Sequence, residues 1–332
     1  MTIVRRSVLA LASGLAVLAA SSLSPLAAEE WRMAHKMPPD SPEGMVFQLF
    51  ADKVAEYSNG ELTVKVYPNE QLGKTDAVME QLKLGTVQLY PEGSTYMNKW
   101  VPEIKFISSA FLFDDREHWV RFMNTDLVKG WYAKAASDAG VGVLGDPTAV
   151  VRGPYRVMVT HKDVKSYDDI QGLSLRMAPS KIAIETWNWL GAETKTLPWT
   201  DVYQSIDKGI VEAVNSPIAL VESMRFQEVA PHIVRHDEYY QSIAFMMNQK
   251  AYESLKPELQ AAVDKALVEA GKYSEDLMGK SAEESLKRME AKGVTYLAID
   301  RKPFIERMQA WYKDQELPDG FMEAVEATRA SN

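Results

Sequence analysis

The chain of 332 residues has no cysteine, which excludes a disulfide framework, a thiol nucleophile and any cysteine-held metal. Histidine is scarce: there are five, and the one pair spaced four apart, His232 and His236, falls in an alternating run that reads as extended chain. Residues four apart on a strand lie ~13 Å from each other, too far to share an ion. No metal site is expected. The words H-E-x-x-H, G-x-S-x-G and the P-loop are absent, so no strong catalytic set is present. Basic excess is absent too: the formal net charge is −9, the wrong sign for a surface that neutralises phosphates, and no nucleic-acid partner is expected. The acid pairs Asp114-Asp115 and Asp168-Asp169 stand at helix starts, where capping accounts for them.

What remains is the composition of an ordinary globular protein, 46% hydrophobic and 25% charged, long enough for two domains. Residues 1–28 read as a signal peptide: Arg5-Arg6, an apolar run from Val8 to Ala20, then small residues up to Ala28, where cleavage is placed. The apolar run is shorter than the ~20 residues a bilayer requires, so export to the periplasm is preferred to a membrane anchor. Arg5-Arg6-Ser7 also permits twin-arginine export; the general secretory route is favoured because no cofactor is evident that would require export of a folded protein.

Beyond the leader, strand and helix patterns alternate. Trp31 to His35 is read as a strand, and Ser41-Pro42 as the cap and first turn of a helix with Met45, Leu49, Val54 and Tyr57 buried. Leu62 to Tyr67 and Val87 to Tyr90 are strands flanking a helix over Thr75 to Leu84. A single helix is expected from Arg116 to Asp138. Gly140 to Gly145 matches G-x-G-x-x-G in letters, but it lies in a strand-like run leading to Asp146-Pro147, with no helix N-terminus to receive a pyrophosphate. No cofactor is expected. Pro257 to Lys292 is helical, with Leu259, Val263, Ala266, Ala270, Tyr273 and Leu277 on its apolar face, either unbroken or as two shorter helices.

The densest chemistry lies between Gly153 and Pro217. Arg156 sits in a strand-like run, Tyr155 to Thr160, and Arg176 in another, Leu173 to Met177. A guanidinium keeps its charge at any relevant pH, so one held among apolar strand residues needs an anion, an internal ion pair or several carbonyls. A helix over Ser180 to Leu190, a strand over Glu193 to Thr196, a helix over Val202 to Lys208 capped by Thr200 or Asp201, and a strand over Ile210 to Asn215 complete β-α-β-α-β units. Ligands of such sheets sit outside the carboxyl ends of the strands, where Arg176, Trp199, Asn215 and Ser216 fall.

Four words in this stretch, Gly172-Leu-Ser-Leu-Arg176-Met-Ala-Pro179, Leu190-Gly-Ala192, Pro198-Trp-Thr-Asp-Val-Tyr203 and Gly209-Ile-Val-Glu-Ala-Val-Asn-Ser-Pro217, occur in the order of the DctP-type solute receptors of tripartite ATP-independent periplasmic (TRAP) transporters. Gln71-Leu72-Gly73 and Ser109 to Asp114 are similar to further family segments. The resemblance implies an α/β fold of two domains closing like a Venus flytrap, with a long C-terminal helix bracing both. Residues 29–151 would form domain I, completed by about 243–280, residues 152–242 domain II, and 257–332 the long helical region and terminal helices. It further implies a periplasmic receptor, not an enzyme, that binds a small organic acid and hands it to the small and large integral membrane subunits of a permease.

For the site, the resemblance implies a bidentate bond from Arg176 to the solute carboxylate, Arg156 as a second donor on the neighbouring strand, and Trp199 as an aromatic wall. Asn215 and Ser216 would add hydrogen bonds, although Ser216 stands where the family has asparagine. Glu92 would meet hydroxyl or amino groups of the solute, and His236, Tyr239, His35 and Lys36 are further candidates to line the cleft. The rival readings are a periplasmic enzyme acting on a sugar or organic acid, with Glu92 as general base, and a ligand-binding sensor subunit.

Overall fold

The computed structural model describes residues 29–329. The expected signal peptide, residues 1–28, lies outside the described residues. The chain opens with β1 (Glu29–Ala34), α1 (Pro42–Tyr57), β2 (Leu62–Tyr67), α2 (Thr75–Leu84) and β3 (Leu89–Glu92). Next come α3 (Arg116–Met123), α4 (Asp126–Ala139), β4 (Val141–Val143) and β5 (Val150–Val151). The middle of the chain supplies β6 (Arg156–Thr160), β7 (Ser174–Met177), α5 (Lys181–Trp189), β8 (Glu193–Thr196), α6 (Val202–Asp207), β9 (Ala213–Pro217), α7 (Ile218–Val221) and β10 (His232–Arg235). It ends with β11 (Ser242–Asn248), α8 (Gln249–Ser254), α9 (Pro257–Ala291), β12 (Thr295–Ala298), α10 (Lys302–Lys313) and α11 (Phe321–Ala327).

These strands make two sheets of six. The first runs β2-β1-β3-β11-β4 with β5 beside β11; the second runs β12-β10-β6-β9-β7-β8. In the first, β1 is parallel to β2 and β3, while β11 is antiparallel to β3, β4 and β5. In the second, β7 is parallel to β8 and β9, and β6 runs antiparallel between β9 and β10. The chain passes between sheets at 152–155, at 236–241 and along α9. The short crossings are candidate hinges, and the cleft lies beside them.

The helices start where local chemistry dictates. Ser41 accepts a hydrogen bond from the Gly44 amide at 3.0 Å, with Pro42 in the first turn, as its sequence position predicts. Helix α1 then buries Val46, Phe47, Phe50, Ala51 and Val54, packing on α9 and the first sheet. Each such side chain contributes about 1.5–3 kcal/mol on full burial. Helix α9 is continuous over 35 residues, roughly 52 Å. It packs on α1 and β5 at one end and α7 at the other, and Arg288 pairs with Glu222 beyond α7 at 2.7 Å, so it braces both halves. Gly271 within it is required by contact: a Cβ there would lie 2.8 Å from the Ala149 carbonyl oxygen.

Several expectations are corrected. Met45 is 41% exposed, because the buried stripe of α1 runs through Val46 and Phe50 instead. The helix expected over 116–138 is two helices; the Thr125 hydroxyl accepts from the Val128 amide and starts α4 afresh after Asn124. Tyr273 and Leu277 sit at the edge of the α9 stripe, and Ser274 and Met278 take the buried places. The strands expected at 87–90 and 210–215 begin later, at Leu89 and Ala213. The proposed division also left out β12, which adds to the second sheet beside β10 after α9.

Candidate functional site

Arg176 lies on β7, 5% exposed. Its Nε and Nη2 both donate to the Leu197 carbonyl, at 2.9 and 2.6 Å, and its guanidinium stands 5.3 Å from the Trp199 ring centroid. Among the described residues it has no ion pair. Burial pulls its pKa down to about 10, and the positive charge of Arg156 adds to the effect. The site holds a cation that an incoming anion would stabilise.

Arg156 begins β6. Its Nε donates to Glu238 Oε1 at 2.8 Å, its Nη1 to Gln241 Oε1 at 3.2 Å, and Tyr239 lies against its face at 4.5 Å. The two arginines are not on neighbouring strands as expected, since β9 runs between β6 and β7. Asn215 of β9 spans that gap: its Nδ2 donates to Glu238 Oε2 at 2.8 Å, and Trp187 Nε1 donates to the same oxygen. Its Oδ1 faces His236 Nε2 at 3.2 Å, while His236 Nδ1 accepts from the Glu238 amide at 3.2 Å. Nε2 therefore carries the proton, and burial, with Arg156 and Arg301 nearby, keeps His236 neutral.

Beneath the cleft is a chain of four charges. Lys36 Nζ lies 2.6 Å from Glu92 Oε2; Arg152 Nη1 pairs with Glu92 Oε1; Arg152 also grips both oxygens of Glu43, at 2.9 Å each. Burial opposes ionisation of Glu92, yet Arg152 and Lys36 hold its carboxyl well below the usual range. Burial likewise pushes Glu43 up, against the two-pronged bond from Arg152, whose geometry is that of a carboxylate.

Two small adjoining cavities, about 60 Å³ each, meet at Tyr96, Arg156, Arg176, Ala178, Asn215, Tyr239 and Gln241. Lys36, Glu92 and Trp199 line the smaller one. The Trp199 indole N–H is buried with no protein partner. At the rim, Lys74 Nζ reaches Glu70 (3.0 Å), Thr200 (2.8 Å) and Asp201 (3.3 Å), joining the start of α2 to the turn after β8. Neither Thr200 nor Asp201 caps α6 through its side chain as expected.

The structure thus gathers Arg176, Arg156, Trp199, Asn215, Tyr239, Lys36 and Glu92 around one cleft. Glu92 is a buried strand residue engaged by Lys36, Arg152 and the Gly93 amide, not a loop carboxylate open to solute. Ser216 is turned away: side chains alternate along a strand, so neighbours 215 and 216 face opposite sides, and the Ser216 hydroxyl donates to the Pro217 carbonyl at 2.9 Å. His35 lies below the cleft, where its Nδ1 accepts from the Met37 amide at 3.2 Å; burial lowers its pKa to about 4, against the pull of Glu92. Sequence reasoning missed Glu238, Gln241, Tyr96, Arg152 and Glu43. The acid-aromatic run Asp237-Glu-Tyr-Tyr-Gln241 was the available signal for the first two. Among the described residues no cluster of metal-binding side chains occurs.

The C4-dicarboxylate-binding periplasmic protein DctP of Rhodobacter capsulatus is 26% identical over 265 residues, 80% of this chain and 78% of that one. The 2,3-diketo-L-gulonate-binding periplasmic protein YiaO of Escherichia coli is 26% identical over 310 residues, 92% of each chain. A TRAP periplasmic solute-binding protein from Ochrobacterium anthropi, solved with bound L-fuconate, superposes with a TM-score of 0.84 at 21% identity, covering 91% of this chain and 99% of that one. Residues 33–317 match the family model DctP, and the chain belongs to that family, bacterial extracellular solute-binding protein, family 7.

Proposed function

We propose that this solute-binding protein is a periplasmic TRAP receptor that closes on a small organic acid and grips its carboxylate with Arg176. The observation that carries the reading is a buried guanidinium without an ion pair, facing a cavity walled by Trp199. Each charge-assisted hydrogen bond to a carboxylate contributes about 1.5–3 kcal/mol, and desolvation on closure strengthens the pair. Arg156, already tied to Glu238, orients a second donor toward the same space. The solutes printed for the three relatives named above, C4-dicarboxylate, diketogulonate and fuconate, are carboxylates, which supports the class without fixing the compound; another solved neighbour holds sn-glycerol-3-phosphate, also an anion.

Among the described residues no helix is long and apolar enough to cross a membrane. As in the transporter family this chain resembles, separate small and large membrane subunits would receive the solute, and residues 1–28 would supply export. A catalytic role is disfavoured by Glu92, whose carboxyl is too weak a base when held by Lys36 and Arg152. Recovery of unchanged acid from the saturated protein, with affinity lost in Arg176→Ala, tests the reading. Turnover of the acid would favour the enzyme.

A further inference from the structure

The charges around the cleft can be paired off. Lys36, Arg152, Arg156 and Arg176 are the cations that line it, all with little or no exposure. Glu92, Glu43 and Glu238 are the carboxylates bonded to them. Lys36 is matched by Glu92, Arg152 by Glu43, Arg156 by Glu238; Arg176 is left over. His35 and His236 are neutral, and the Tyr239 hydroxyl keeps its proton, its pKa raised by burial to about 12. At the rim Glu70 is offset by Lys74, and the exposed Asp76 and Asp201 are screened by water. Arg116, half-buried, lines only the recess behind Arg152 and Arg156. The cleft has a surplus of one positive charge.

A second observation concerns hydrogen bonds. The Trp199 indole N–H is buried without a partner, and Trp199, Tyr96 and Tyr239 line the same cavity. An indole N–H and phenol hydroxyls can bond solute hydroxyl groups without adding a positive charge to the site. We propose that the cleft selects a hydroxylated acid carrying one negative charge and rejects the doubly charged acid of the same skeleton. This rests on the reading of the protein as a carboxylate receptor, and goes beyond it by setting the solute's charge. A second carboxylate would be buried with no cation to match it, which costs on the order of a hundredfold or more in affinity.

The test is calorimetry at pH 7.5 on wild-type protein refolded from guanidinium, with matched pairs of acids: threonate and tartrate, gluconate and glucarate, galactonate and galactarate. The expected result is binding of at least one monoacid, with its diacid partner weaker by a hundredfold or more. In Gln241→Glu, which adds a negative charge beside Arg156 and cancels the surplus, monoacid affinity should fall at least tenfold. A diacid binding as tightly as its monoacid, with both lost in Arg176→Ala, would overturn the charge rule and leave the receptor reading standing. Failure of the whole panel would count against both.

Discussion

The guanidinium of Arg156 is held 2.8 Å from the Glu238 carboxylate, so this arginine is neutralised before any solute arrives. The division of labour follows. Arg156 is fixed in place and directs its remaining donors, while Arg176 keeps its charge for the ligand. Glu238 is the organiser, because Asn215 and Trp187 bond to the same carboxylate.

Removing that charge should therefore be costly. In Glu238→Gln the buried Arg156 loses its counter-ion, and breaking such a pair typically costs about 3–5 kcal/mol. Urea denaturation should give a clearly lower midpoint than wild type at unchanged slope. An unchanged midpoint would mean that Glu238 does not carry the charge assigned to it.

The rim contacts predict a kinetic effect. Lys74 joins Glu70, Thr200 and Asp201 across the mouth of the cleft, at a half-exposed position where a pair contributes about 0–1 kcal/mol. Lys74→Met should raise the solute off-rate by less than about fivefold, with the melting temperature of the free protein unchanged. Stopped-flow tryptophan fluorescence measures it; an off-rate equal to wild type removes the latch from the account.

Acid should destabilise the fold before it affects the carboxylates. His35 and His236 have folded pKa values below the ordinary 6.5, that of His35 at about 4. The unfolded chain thus binds more protons as pH falls below 6.5, and each histidine removes up to roughly 1.4 kcal/mol per pH unit until its own folded pKa is reached. Glu92, depressed in the folded state, adds its loss only below the ordinary carboxylate pKa. Chemical denaturation between pH 7 and 4.5 should show the decline, and His35→Gln should flatten it.

Much of the fold was legible because it is written locally. The Ser41-Pro42 cap, the span of α2 and the length of α9 each depend on residues a few positions apart. Arg176 and Trp199 were legible for a related reason: both sit at strand ends in one β-α-β segment. Glu238 was not, because its partners Arg156, Trp187 and Asn215 are 82, 51 and 23 residues away, and only the crossing at 236–241 brings them together. Ser216 was misplaced by neglect of strand alternation, and Glu92 by ending β3 two residues early. Arg152 was read only as the start of a domain, because its partners Glu43 and Glu92 are 109 and 60 residues away.

The central claim is that Arg176 binds the carboxylate, and one titration tests it. An acid that raises the melting temperature of the refolded wild type is titrated by calorimetry into wild type and Arg176→Ala. The account predicts affinity lower by more than about tenfold in the variant, with the free variant still folded, since Arg176 has no ion pair to lose and its bonds to the Leu197 carbonyl are the only hydrogen bonds removed. Equal affinity in the two proteins would contradict it.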